Sequence, residues 1–108
     1  MKLLIVRHAD PDYSIDSLTE TGWLEAELLA ERLCRLEVKG FYVSPLGRAK
    51  DTASLTLNKK GRTAVEYTWL REFSARIAKP WHAENGCIWD WLPAEWTGDA
   101  RHFDREAW

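Results

Sequence analysis

The sequence predicts an α/β domain, a mostly parallel sheet flanked by helices. Short runs of branched apolar residues alternate with segments of helical periodicity, in the order strand, helix, strand, helix, strand. Turn-forming Gly and Pro fall between those segments. Parallel pairing through right-handed crossovers is the usual solution for that order.

Each element has its own warrant. Leu3, Leu4, Ile5 and Val6, flanked by Lys2 and Arg7, form a continuous apolar run, as expected of a strand buried on both faces. Pro11 and the Asp residues 10, 12 and 16 then break the pattern into a loop. A helix opens near Ser17 or Thr19, and Ser17 with Glu20 has capping-box spacing. Trp23, Ala26, Leu29, Ala30, Leu33 and Leu36 give that helix one apolar face, and Gly40 is a plausible stop. Phe41, Tyr42, Val43 and Ser44 make a second short strand. Pro45 suits the first turn of a second helix, running to about Lys59 and closed by Gly61. A third strand is expected over 63–68, with Ala64, Val65 and Tyr67. Beyond Leu70 the periodicity fades, Pro80, Gly86, Pro93 and Gly98 punctuate, and a final helix is expected from near Asp99. With no repeat and no linker, residues 1–108 read as one domain.

Composition narrows the function. The chain is 45% hydrophobic and 30% charged, which supports a folded core and excludes low-complexity or disordered character. The net charge of −2 argues against nucleic acid as a partner. The apolar runs are too short to span a bilayer and no leader precedes the first strand, so the expected compartment is the cytoplasm. Cys34 and Cys87 have no ligand spacing and are expected as reduced thiols. The acidic run from Asp10 fails as a calcium loop, with Ile15 where Gly is required and Thr21 where a bidentate Glu is required. His82, Glu84 and Cys87 lack the paired cysteines of a zinc deaminase. No metal and no cofactor are expected.

Sites in open α/β sheets gather beyond the C-terminal ends of strands. Two such ends carry unusual residues, Arg7-His8-Ala9 after the first strand and Ser44-Pro45-Leu46-Gly47-Arg48 after the second. Either alone reads as solvated surface. Together they bring two guanidinium groups and an imidazole beside a helix N-terminus. Guanidinium forks match phosphate oxygens, and a neutral imidazole can attack phosphorus.

Arg7-His8-Ala9 after an apolar strand resembles the RHG signature of the histidine phosphatase superfamily, which includes phosphoglycerate mutases. Leu18-Thr19-Glu20-Thr21-Gly22 with Ala26 is similar to that family's LTxxG helix start. Ser44-Pro45-Leu46-Gly47-Arg48-Ala49 with Thr52-Ala53 is similar to its SPLxRAxxTA segment, and Leu70-Arg71-Glu72 to its L-x-E motif. The four segments occur in family order over residues 2–73. The resemblance implies a phosphoglycerate mutase-like fold, with His8 as the phosphorylated nucleophile. Arg7 and Arg48 would grip the phosphoryl oxygens, and Glu72 would be the proton donor and later the base. Asp10, in the same loop, is a phosphate-binding candidate. Asp10 and Asp12 stand either as substitute acids or as loop-capping residues.

The chain departs from the pattern at Ala9, where the signature has Gly, and in having no match to the family's second catalytic His; neither His82 nor His102 follows an apolar strand. It therefore reads as the N-terminal part of such a phosphatase, without the later strands. The implied activity is hydrolysis of a small phosphorylated metabolite. The alternatives are a phosphate- or partner-binding module without turnover, or a mutase-type phosphotransferase. Six of the seven Trp lie between Trp69 and Trp108. Trp69, Trp81, Trp89, Trp91 and Trp96 either line a lid over the site or pack against another part of the fold. A second copy of the chain, or a missing C-terminal part, would supply that packing.

Overall fold

In the computed structural model, residues 1–73, 76–78, 85–87 and 92–107 are described. They fall into two compact units, Met1–Arg71 and Glu72–Trp108.

The first unit is built on two fourteen-residue helices that pack against each other, α1 (Glu20–Leu33) and α2 (Gly47–Lys60). Before α1 lies a small antiparallel hairpin, β1 (Pro11–Asp12) with β2 (Ser17–Leu18), in register Pro11 to Leu18 and Asp12 to Ser17. The stretch expected as an open loop is thus a hairpin, its tip formed by residues 13–16. β3 (Tyr42–Val43) and β4 (Val65–Glu66) pair in parallel across α2, the one parallel pair among the described residues. The fold is α/β, as the alternation of elements predicts.

The apolar face of α1 lies where the periodicity places it except at its two ends, where Trp23 and Leu36 are exposed. Ala26 and Ala30 are fully buried, Gly22 is buried beside them, and Leu29 and Leu33 are half-buried. Gly22, Ala26 and Ala30 recur every four residues, and α2 buries Thr52 and Thr56 at the same spacing. Small side chains along i, i+4 ridges let two helix backbones approach closely. Leu18 on β2 completes the buried hydrophobic positions of this unit.

The helix ends differ in detail from their sequence signals. α1 is capped by Thr19, whose Oγ1 accepts the Gly22 N–H at 3.0 Å, and not by Ser17. Ser17 Oγ instead donates to Asp51 Oδ2 on α2 at 2.6 Å. α1 stops at Leu33, one turn before the Leu36 that extends its apolar pattern. Lys60 Nζ donates to the carbonyls of Cys34 and Leu36, tying that end to the last turn of α2. α2 begins at Gly47 and not in the turn containing Pro45, and it closes on Gly61 in the left-handed conformation, φ 59°. Cys34 is a free, half-buried thiol.

One expectation is overturned. Residues 2–7 form no strand: no ladder reaches them, and Leu3 and Ile5 are 73% and 84% exposed. A run of branched apolar residues becomes a buried strand only when neighbouring strands and covering helices meet it.

In the second unit β5 (Arg76–Ala78) and β6 (Asn85–Cys87) pair antiparallel, followed by α3 (Pro93–Thr97). The helix expected near Asp99 is a 3₁₀ turn, Ala100–His102, whose Asp99 cap accepts from the Arg101 N–H and from its guanidinium. Those contacts hold the Asp99 carboxyl at about 2. Of the late tryptophans, Trp69 in the first unit is 74% exposed and stacks on Tyr67 at 5.8 Å. The side chains of Trp81, Trp89, Trp91 and Trp96 lie outside the described residues, so both readings of them stand where the sequence leaves them.

Gly22 is required by close approach, because a Cβ there would stand 2.2 Å from the Asp10 carbonyl oxygen. Gly22→Ala is expected to destabilise the chain by about 1–3 kcal/mol, the usual cost of overpacking against backbone, read as a lowered Tm in thermal unfolding. An unchanged Tm would show that the junction of α1 and residue 10 yields freely.

Candidate functional site

The N-terminus of α2 is the centre of the candidate site. Its first turn contains no acidic residue, and Leu46 at the cap position makes no side-chain bond. A helix start leaves several N–H groups without intrahelical partners and carries partial positive charge. Here the anion arrives from thirty-one residues upstream. Asp16 Oδ2 accepts the Gly47 N–H at 2.7 Å, and Asp16 Oδ1 accepts from Arg48 Nη1 at 2.7 Å.

Asp16 reaches this position because the hairpin tip turns through a left-handed residue. Its φ is 48°, the one positive φ outside glycine among the described residues, and Asp tolerates that region better than most side chains. Its own carbonyl packs so tightly on α2 that a Cβ at Gly47 would lie 2.0 Å from that oxygen. Tyr13, at the other side of the tip, sets its ring 5.3 Å from the Arg48 guanidinium carbon, a cation–π geometry. The Arg48 side chain is only 11% exposed.

The electrostatics follow. The Gly47 N–H holds the Asp16 carboxyl below the usual carboxylate range; partial burial opposes this, and Arg48 adds to it. A depressed folded-state pKa means the contribution to stability is present above the unfolded pKa. It is lost as pH falls through the folded value.

A second path links α2 to the residue after His8. The Ala9 N–H donates to Thr52 Oγ1 at 3.0 Å, and that hydroxyl donates to the Arg48 carbonyl at 2.7 Å. Thr52 is 4% exposed, and both bonds are part-buried. The SPLxRAxxTA spacing thereby acquires a physical reading. Residues four apart on one helix put the Arg48 carbonyl and the Thr52 hydroxyl in reach of each other, and the hydroxyl passes the connection on to the chain at Ala9.

His8 is half-buried, and its Nδ1–H donates to the Ala9 carbonyl at 2.8 Å. A carbonyl only accepts, so this bond calls for a proton on Nδ1, and in the neutral ring the lone pair is then on Nε2. Arg7 is exposed and makes no hydrogen bond or ion pair among the described residues. Asp10 serves the start of α1: its carbonyl accepts the Thr19 N–H at 3.1 Å and its Oδ2 accepts from Thr19 Oγ1 at 2.6 Å. Its own N–H donates to Glu25 Oε2 at 2.8 Å. Asp12 caps the hairpin, taking the Ser14 N–H and hydroxyl, which lower its pKa. Glu72 is exposed and belongs to the second unit, as does half-buried His102.

The structure thus joins His8, through Ala9 and Thr52, to Arg48. Asp16, Tyr13 and Thr52 were not legible as site residues. Asp16 sits in the acidic run and Thr52 in a motif, but no spacing announces a contact across thirty-one or forty-three residues.

These bonds link the chain at His8 and Ala9, through Thr52, to the Arg48 backbone in the first turn of α2. Residues 3–105 match the sequence profile of the histidine phosphatase superfamily (branch 1), and the chain belongs to that superfamily. It is 34% identical over 79 residues to a probable phosphatase of Schizosaccharomyces pombe, covering 65% of this chain and 38% of that protein. It is 31% identical over 72 residues to a 2,3-bisphosphoglycerate-dependent phosphoglycerate mutase of Thermoplasma acidophilum, covering 57% of this chain and 36% of the mutase. In each case the chain spans little more than a third of its relative's length.

Thr52→Val keeps the shape of residue 52 and deletes both hydrogen bonds. It is expected to cost about 1–3 kcal/mol in unfolding free energy, because the Ala9 N–H then loses its partner. Denaturant unfolding measures this, and a change within error would remove Thr52 from the link.

Proposed function

We propose that the chain carries the phosphate-gripping half of a phosphatase that hydrolyses a small phosphorylated metabolite. It would do so through a phosphohistidine at His8, on a mostly parallel sheet of which β3 and β4 are the described pair. Family membership and the relatives' names support phosphoryl transfer. The observation that carries the reading is that hydrogen bonds through Ala9 and Thr52 tie the chain beside His8 to the Arg48 backbone, in the first turn of the helix that bears the guanidinium.

The chemistry is in line. The Nε2 lone pair attacks phosphorus, an N–P bond forms, and the bond from phosphorus to the leaving oxygen breaks. Arg48, with Arg7, takes the charge that develops on the phosphoryl oxygens. Glu72 is the proposed proton donor to the leaving oxygen, and Asp10 a proposed contact to the phosphoryl group. The support for Glu72 is its place in Leu70-Arg71-Glu72. Water then attacks the phosphohistidine, giving its proton to the Glu72 carboxylate. The N–P bond breaks, and inorganic phosphate leaves with His8 restored. None of these steps calls on a metal or a cofactor. The proposed compartment is the cytoplasm. Among the described residues no helix is long and apolar enough to cross a membrane.

A mutase reading is the alternative, and the named mutase among the relatives favours it. The two differ in where the phosphoryl group ends, on water or on a second acceptor hydroxyl.

Turnover of p-nitrophenyl phosphate by the 108-residue chain is the test. Phosphate release is expected from the wild type and not from His8→Ala, and Arg48→Ala is expected to lose about 10²–10³-fold in kcat/KM. Undiminished activity in His8→Ala would remove the nucleophile assignment. Phosphate binding without turnover would make the chain a binding module.

A further inference from the structure

Resting on that reading of the site, we infer that Asp16 is a positioning residue. Its carboxylate, with the Tyr13 ring, fixes the plane and edge of the Arg48 guanidinium for the phosphoryl group.

A guanidinium is planar and offers an edge of N–H donors and two faces. The hairpin tip takes one of each. Asp16 Oδ1 engages the edge at Nη1, and the Tyr13 ring covers a face. The clamp is itself anchored. Asp16 Oδ2 is tied to the Gly47 N–H, the Asp16 carbonyl is packed on Gly47, and Ser17 of the same hairpin donates to Asp51 one turn along α2. A long side chain held at one edge, on one face and at its own backbone keeps little rotamer freedom, so less ordering remains for the ligand to impose.

The same bond changes what the start of α2 does. The Gly47 N–H faces the chain's own carboxylate, so a phosphoryl group meets Arg48 and not that bare N–H. A phosphoryl dianion beside a carboxylate is also repelled unless a cation lies between them, and that is the place proposed for Arg48.

Two variants separate positioning from folding. Asp16→Ala removes both contacts. Asp16→Asn keeps an oxygen to accept the Gly47 N–H and loses the charge that orients Arg48. Inorganic phosphate is titrated calorimetrically into the wild-type chain and each variant, with thermal unfolding in parallel and the Arg48 Nε–Hε resonance followed by NMR. Asp16→Asn is expected to unfold near the wild-type temperature, to bind phosphate about tenfold more weakly, and to shift and broaden the Arg48 signal; Asp16→Ala is expected to bind more weakly still. Wild-type affinity in Asp16→Asn, with an unmoved Arg48 signal, overturns the assignment. Tighter binding also overturns it, because Asp16 is then a competitor occupying the phosphate position. A wild-type chain that takes no phosphate overturns the phosphate site itself, an outcome distinct from either variant result. If Asp16→Ala does not fold, Asp16→Asn decides.

Discussion

The first unit depends on how the N-terminus of α2 is satisfied. A helix start is a concentration of unpaired donors, and in this chain the acceptor for the Gly47 N–H is not a local cap but Asp16, in a hairpin far upstream. That one carboxylate sets the position of the hairpin, since its second oxygen and its backbone are both committed to α2. It also sets the position of Arg48, and through the first turn the position of Thr52, which holds Ala9. The candidate site residues of the first unit are thus organised from one end of one helix. Two glycines, Gly22 and Gly47, permit the approach of backbone carbonyls that closes the arrangement.

The division of charge along α2 is consistent with this. The C-terminal end carries Lys59 and Lys60, and the latter caps the carbonyls of Cys34 and Leu36. Around that end lies a cavity of about 620 Å³ lined by Arg35, Lys39, Lys59, Lys60 and Arg62, with Glu37 as its carboxylate. Cationic side chains therefore stand at both ends of one helix. The two ends differ in construction: at the C-terminal end Lys60 answers carbonyls of the segment that follows α1, whereas at the N-terminal end a largely buried Arg48 side chain is held by an anion and an aromatic face. Fixed, desolvated charge is what a site for a charged transition state requires.

Much of the fold was legible. The 3.6-residue spacing of Ala26, Ala30 and Leu33 located the buried face of α1, and Gly61 located the end of α2. The family motifs gave the superfamily, because their residue types and order are readable without knowledge of contacts, and they single out His8 and Arg48 as candidates. What failed did so for physical reasons. The apolar run at 3–6 was read as a buried strand, but burial on both faces comes from neighbours that a local pattern does not contain, and this run lies exposed and unladdered. Ser17 had capping-box spacing, yet Thr19 caps, because Ser17 is taken up by Asp51. Asp16 was seen only as part of an acidic run, since its role depends on a hairpin that carries it across to α2.

The central claim is that the N-terminus of α2, joined to His8, is where this chain takes a phosphoryl group. Mapping amide shifts in ¹⁵N–¹H spectra while inorganic phosphate is added tests it most directly. The account predicts saturable changes largest at His8, Ala9, Gly47, Arg48 and Thr52. Changes centred on Lys39, Lys59, Lys60 and Arg62, with the α2 N-terminus unmoved, would contradict it.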